Sequence, residues 1–417
     1  MHFFELPNRP LRRASSYRMH NQFWPRELVL GLLPLLIGLQ LLMCAAFLPI
    51  ALKGGADFRQ LYSGGYMIRV GRNKALYDYQ VERDVETQLT GTAADVALPV
   101  NHLAYEELLF VPLSLLSYRK AFLLFLLINL AILYVSARLL MPMLQVLSAR
   151  WKLFPAFLIA AFPPIARTLV QGQDSILLLA LLAGALVFET ENPFLAGVLV
   201  GLGLFKFQIV LPIGLLFLLW RRWSFVTGFS AATLVAILTS LLVTGVDGMR
   251  QYASMLVSMS LRLGVSNEAS FRYATNPLAM LNIRGLLFAI LASRVRLGWI
   301  QAYIIALSLA LLLCSARLPK SLPLATITAS LTSYHMLAHD ASVLLIPTAI
   351  ALSSNSCPTV LAATAILIAP ITAISPSHGY LGAIPSLVLL FLAFRARKFP
   401  EVQRTDRLTG AALCESH

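Results

Sequence analysis

A helix that crosses a bilayer must satisfy its own backbone hydrogen bonds, so it needs an unbroken apolar run of roughly 20 residues, with about 17–25 tolerated. Runs of this kind lie at 28–52, 121–140, 154–170, 174–190, 224–244, 297–316, 321–337, 358–374 and 380–394. Shorter ones lie at 194–205, 207–220 and 341–353. Together they describe an all-α polytopic membrane protein of about 12 transmembrane helices. Two long connections, 53–120 and 246–296, are expected to carry amphipathic helices. Composition agrees: 58% of residues are hydrophobic and 12% charged, against about 45–50% and about 25% in soluble domains. A soluble enzyme, a disordered chain and a disulfide-stapled secreted fold are excluded.

The net charge of +14 would suggest nucleic acid in a soluble protein. Here it reads as an orientation signal, because cytoplasmic edges of spans collect Lys and Arg. With Arg9, Arg12, Arg13, Arg18 and Arg26 inside, twelve passes also place Arg138, Arg150, Lys152, Arg221, Arg222, Arg317, Lys320, Arg395, Arg397 and Lys398 inside. That side then holds 17 basic and 7 acidic residues, the other 16 and 12. The stretch 194–220 decides the count. One tilted helix would put Arg221 and Arg222 outside, so two short passes turning at Lys206-Phe207-Gln208 are the better reading. Residues 1–27 form a basic cytoplasmic segment, 28–395 the membrane domain, and 396–417 a cytoplasmic tail expected to be disordered.

No cleavable signal peptide is expected, since the first apolar run exceeds a signal-peptide core of about 7–15 residues. Met43 is too large for the position before Cys44 in a lipoprotein box. Cys44, Cys314, Cys357 and Cys414 have no metal-like spacing, and no phosphate-binding glycine motif or internal repeat is visible.

Nearly every polar feature that is not a flanking charge then faces the extracytoplasmic side. Asp57, after two glycines, stands where the first span meets the interface, ahead of an aromatic stretch (Phe58, Leu61, Tyr62, Tyr66) suited to the headgroup layer. Asp57 with Gln60 matches a capping box, and a carboxylate so placed also suits a general base. Asp78 reads as a helix cap. His335 and His339, at i and i+4 on one helical face beside Asp340, suit an interfacial helix end, a phosphate or sugar contact, or a metal. Lys206 between short passes needs an anion such as a lipid phosphate, or must snorkel. Gln173 sits at a similar turn. Arg262, Arg272 and Arg284, with only Asp247 and Glu268 as acids, can receive an anionic substrate or lipid headgroups.

The run DFRQLYSGGYMIRVGRNKALYD, followed by YEELLFVPLSLLS, GQDSILLLALL, GVLVGLGLFKFQIVLPIGLLFLLWRRW and NPLAMLNIRGLL in that order, resembles glycosyltransferase family 87 over roughly 28–350. The resemblance implies a GT-C-type helical bundle that transfers a hexose, mannose in that family, from a polyprenyl-phosphate donor to a lipid or glycan hydroxyl. It implies Asp57 as general base and inversion at the anomeric carbon. Substrate contacts are then expected from Gln173, Lys206, His335, His339 and Arg284, with no cofactor and no metal. Family members commonly carry Gly-Gln-x-Asn where this chain has Gly172-Gln173-Asp174-Ser175, so only Gln173 is carried over. The setting expected is a bacterial inner membrane with both termini cytoplasmic and the site outside, its partners being donor, acceptor and membrane lipids and no nucleic acid. The competing reading is a lipid-linked-sugar flippase or small-solute transporter, for which twelve passes are common. The one-sided polar inventory and the missing repeat weigh against it.

Overall fold

The computed structural model describes residues 15–91, 98–144, 152–261 and 276–397, with side chains from 27 to 258 and from 276 on within those ranges. Residues 1–14, Arg150, Arg262, Glu268, Arg272 and Lys398, the tail with Cys414, and the side chains of Arg18 and Arg26 lie outside what is described. Among the described residues every regular element is helical. In chain order they are α1 Ser15–Ala51, α2 Phe58–Arg69, α3 Tyr79–Thr90, α4 Ala104–Glu107, α5 Tyr118–Leu140, α6 Phe154–Ala161 and α7 Pro163–Gln171. There follow α8 Ser175–Phe188, α9 Pro193–Leu202, α10 Phe207–Leu219, α11 Trp223–Leu261, α12 Ile283–Leu291, α13 Leu297–Ser315, α14 Leu322–Thr332, α15 Leu345–Leu352, α16 Cys357–Ile368 and α17 Ala383–Ala396.

Among the described residues, seven helical stretches are long and apolar enough to cross a membrane, where about twelve were expected, or eight if the pair α6–α7, bent by 59°, makes one span. Three apolar stretches are shorter: α8, α14 and Asp340–Leu352. Large apolar side chains such as Leu35, Leu41, Leu127, Leu242 and Phe391 point outward, as a lipid-facing bundle requires. The stretch Pro193–Leu219 is continuous in length and composition, yet Lys206 leaves helical geometry at φ −107°, ψ 55°. Its two ends meet one loop: the Leu322 amide donates to Glu189 Oε1 (3.0 Å) and Lys320 Nζ to the Trp220 carbonyl (2.8 Å). A straight helix of that length would hold its ends about 40 Å apart, so the chain doubles back near Lys206. The α9 arm lies against α11, where a Cβ on Gly197 or Gly228 would strike the facing backbone; small residues permit that approach. Within α11, Gly245 (φ 73°, ψ 179°) breaks the helix, where the apolar run ends.

The first long connection does not lie flat on a surface. Phe58, Leu61 and Tyr62 are buried with Phe110, Tyr118, Phe122 and Phe125, so the aromatic face of α2 is protein core rather than a headgroup anchor. Aromatic pairs inside protein gain burial plus edge-to-face and stacked contacts, and Phe58 makes both kinds, with Phe122 and Phe125. Tyr118 Oη donates to the Ala51 carbonyl (3.1 Å), which ties the end of α1 to α5. On α3, capped by Asp78 as expected, Glu82 and Glu86 accept from the Val100 and Leu98 amides (3.3 and 3.2 Å). Arg59 pairs with Glu86 at 3.0 Å.

The ninth apolar run is corrected too. Its helix α14 ends at Thr332, and residues 333–338 are irregular. Ser333 Oγ takes the turn, donating to the His335 carbonyl and accepting from its amide. His335 and His339 therefore share no helical face.

Candidate active site

Two tight turns bring Asp57 to its partners. Gly54 (φ 91°) ends α1 in left-handed geometry that glycine tolerates without Cβ strain. Gly172 (φ 62°) closes α7 the same way, and a Cβ there would collide with Phe58. The turn after α7 thus lies directly against the start of α2. The Asp57 carboxylate makes no capping hydrogen bond to α2, and Gln60 turns to Asn101 (2.8 Å) instead. The capping-box reading is overturned, and the carboxylate is left for other work.

Asp57 Oδ2 accepts from Gln173 Nε2 at 2.9 Å. The other end of that amide, Oε1, accepts from Lys206 Nζ at 3.1 Å. Lys206 also lies 3.0 Å from Asp174 Oδ1 and 3.2 Å from Asp340 Oδ1. Ser175 Oγ donates to Asp340 Oδ1 (3.2 Å) and the Leu337 amide to Oδ2 (3.1 Å). Beyond Asp174, His102 Nδ1 stands 3.1 Å from Oδ2 and pairs closely with Glu106. His339 Nδ1 lies 3.0 Å from Gln171 Oε1 and 3.9 Å from Asp57 Oδ2. On the other side of the ring, His339 Nε2 lies 3.5 Å from Asp340 Oδ1.

Exposure separates these groups. The Asp57 side chain is 26% exposed, while Lys206, Asp174 and Asp340 are 4%, 2% and 1%. Only the outermost carboxylate of the chain is open to a substrate. Lys206 neither snorkels nor waits for a lipid phosphate, because two carboxylates already meet its charge. Arg284 differs. It is buried, stacks over the Tyr334 ring at 3.7 Å and donates through Nη1 to the Tyr334 carbonyl (2.9 Å). Its Nε and Nη2 have no partner. The Leu281 amide donates to the Met336 carbonyl (2.9 Å), and Asn282 Nδ2 to that of Ser333 (2.7 Å). These bonds bind the Arg284 segment to the irregular loop that carries His335.

In the 53–120 connection, burial alone would lower the His102 pKa. The Glu106 and Asp174 carboxylates override it and lift it to about 10, so the imidazolium is held charged. Burial pushes the Glu107 carboxyl up to about 8, with His102 opposing. Its two oxygens accept no hydrogen bond, which suits a neutral acid. The donor atoms of His102, Glu106 and Asp174 lie within 4.8 Å of one another, near enough to hold a cation, and the Lys206 ammonium already supplies positive charge on Asp174 there.

The cluster is a part-exposed carboxylate held by an internally neutralised polar chain inside an apolar helical bundle. The model of glycosyltransferase family 87 matches residues 107–347. The chain belongs to glycosyltransferase family 87. No curated protein and no solved structure matches it. It is therefore a membrane glycosyltransferase, and the transporter reading gives way. In this family 87 enzyme the matched region contains Gln173, Lys206, Arg284, His335 and His339 and begins after Asp57.

Of the residues expected from sequence, the fold brings Asp57, Gln173, Lys206 and His339 into one cluster. Arg284 and His335 stand on the adjoining loops. The sequence reading missed Asp174, Asp340 and His102 as members. Asp174 carried little signal, since it fills the free position of Gly-Gln-x-Asn; the departure from that pattern falls on Ser175, which donates to Asp340. His102 carried none, because a lone histidine in a polar loop resembles any solvated residue.

Proposed function

We propose that this enzyme transfers a hexose, mannose by family resemblance, from a polyprenyl-phosphate sugar to a hydroxyl of a lipid or glycan acceptor. Asp57 takes the proton of the acceptor hydroxyl as its oxygen attacks the anomeric carbon. The bond from that carbon to the phosphate oxygen breaks on the opposite face, so configuration inverts. Polyprenyl phosphate is a competent leaving group and needs charge stabilisation rather than a protonating acid. Arg284, with Nε and Nη2 unpartnered, supplies it, and His335 stands on the loop bound to the same segment. Lys206 acts one step back: it holds Gln173, which holds Asp57. His339 orients Gln171 beside the same carboxylate. The observation that carries this reading is the 26% exposure of Asp57 in a cluster otherwise sealed.

The reading places the site on the extracytoplasmic side of a bacterial inner membrane, with twelve passes and both termini inside. The doubling back at Lys206 supports it, because it keeps Arg221 and Arg222 on the side of Arg317 and Lys320.

Membranes incubated with radiolabelled polyprenyl-phosphate mannose should gain label in a glycolipid or glycan, with the anomeric configuration inverted. Retention, or undiminished label with Asp57→Asn protein, overturns the mechanism. Reporter fusions after Arg222 and after His339 should report opposite sides; the same side for both breaks the topology.

A further inference from the structure

Lys206 has three N–H bonds to give, and three acceptors stand around Nζ: Asp174 Oδ1 at 3.0 Å, Gln173 Oε1 at 3.1 Å and Asp340 Oδ1 at 3.2 Å. The position of Nζ therefore sets the sense of the Gln173 amide. With Oε1 facing the ammonium, Nε2 is turned to Asp57 Oδ2 at 2.9 Å. A reversed amide would set oxygen against the carboxylate and N–H against the ammonium. Whatever fixes Nζ thus fixes the side chain that holds Asp57.

Two residues of the 53–120 connection reach Lys206 by separate routes. The first route runs through side chains. His102 Nδ1 lies 3.1 Å from Asp174 Oδ2, the oxygen that does not face Lys206, and it pairs closely with Glu106. All three side chains are buried. His102 thereby fixes the rotation of the Asp174 carboxylate, and with it the direction in which Oδ1 draws Nζ. Its own backbone is anchored, because Tyr77 Oη donates to the His102 carbonyl (3.0 Å).

The second route runs through the backbone. Tyr105 Oη donates to the Leu202 carbonyl (2.8 Å) and accepts from the Phe205 amide (2.8 Å). Leu202 closes α9, and Phe205 precedes Lys206 in the turn Gly203–Lys206, where the chain doubles back. The last carbonyls of a helix need partners from outside it, and a hydroxyl can both give and accept. One phenol therefore pins both sides of the reversal. The Tyr105 amide donates to Ser240 Oγ on α11 (3.1 Å), which fixes α4 in turn. Both residues precede the region 107–347 that the family model matches.

We infer that His102 and Tyr105 are positioning residues of the transfer reaction: together they set Lys206, which sets the Gln173 amide and so aims the Asp57 carboxylate. The inference rests on Asp57 being the group that takes the acceptor's proton.

The test uses membranes holding equal amounts of full-length protein, given radiolabelled polyprenyl-phosphate mannose over a range of concentrations. His102→Leu should lower the maximal rate about tenfold and Tyr105→Phe about fivefold, the scale of one lost hydrogen bond to a charged and to a neutral group. The half-saturating donor concentration should stay at the wild-type value in both. His102→Asn, whose Nδ2 takes the place of the ring Nδ1, should stay within about twofold of wild type. The deciding measurement is a double-mutant cycle. Added to Gln173→Leu, either substitution should cost less than about twofold more, because the side chain through which it acts is gone. Tyr105→Phe removes one oxygen and keeps the ring, so it carries the same cycle where His102→Leu costs the fold. The inference is overturned if the losses multiply in the Gln173→Leu background, if they fall on the half-saturating concentration, or if His102→Asn is as slow as His102→Leu. Asp57→Asn separates it from the mechanism. Lost transfer with a multiplicative cycle sinks the positioning and keeps the base. Retained transfer with a non-multiplicative cycle sinks the base and leaves His102 and Tyr105 acting through Gln173.

Discussion

Asp57 and the pair Asp174–Asp340 are carboxylates on one continuous polar chain, yet they are held in opposite ways. Asp57 is part exposed and steadied by a neutral amide at 2.9 Å. Asp174 and Asp340 are sealed and face an ammonium at 3.0 and 3.2 Å. In the role proposed for Asp57, a carboxylate that takes a proton cannot sit against a full positive charge, which would hold it ionised and lower its basicity. A buried carboxylate with no cation beside it would be desolvated and uncompensated. The enzyme separates the two demands with one glutamine, whose amide passes orientation from Lys206 to Asp57 without passing charge.

The largest effect that tests this contrast is at the open end. Asp57→Asn should lower the transfer rate by about 10²–10⁴-fold, the span of a general base, with the unfolding midpoint near wild type. Loss of the fold instead would make Asp57 one more structural carboxylate. At the sealed end the outcome should reverse. Lys206→Met leaves two buried acids facing one another and should cost about 3–5 kcal/mol of stability, read as a thermal shift in detergent. Adding Asp174→Asn and Asp340→Asn to it should recover most of that loss.

Between the ends, Gln173→Leu should lower kcat about tenfold, the scale of one lost hydrogen bond to a charged group, with the donor KM little changed. A change confined to KM would move Gln173 from positioning Asp57 to binding the donor. The smallest effect at neutral pH belongs to Glu107, a sealed acid without a cation of its own. Its folded pKa of about 8 stands above the ordinary glutamate value of 4.5, so the folded state holds a proton that the unfolded state has released between those values. Its contribution to stability is complete below about pH 4.5 and lost as pH rises through about 8. Glu107→Gln should therefore flatten the fall in melting temperature across that window and change little below it.

Much of the scaffold was legible because one physical rule, backbone satisfaction in lipid, leaves the same mark wherever it acts. The all-helical architecture and its apolar helices followed from run length, and the reversal near Lys206 from flanking charge. Legibility failed where tertiary contacts outbid local pattern. The stripe on α2 reads equally as a membrane-surface helix, and only Phe110, Phe122 and Phe125 arriving from elsewhere made it core. The spacing of His335 and His339 implied a shared face, but the chain leaves helical geometry after Thr332. Lys206 was recognised as a charge in need of an anion, but not that two aspartates, one 32 residues before it and one 134 after, would supply it.

By itself the sequence determined that this chain is an apolar, all-helical membrane protein, and it singled out Asp57, Gln173, Lys206 and His339, which the fold gathers into one cluster. Composition and periodicity are local, and a bilayer reads them locally. Tertiary structure decided which carboxylate is open and which are neutralised. That depends on side chains far apart in sequence meeting within about 3 Å, a distance set by packing rather than by pattern.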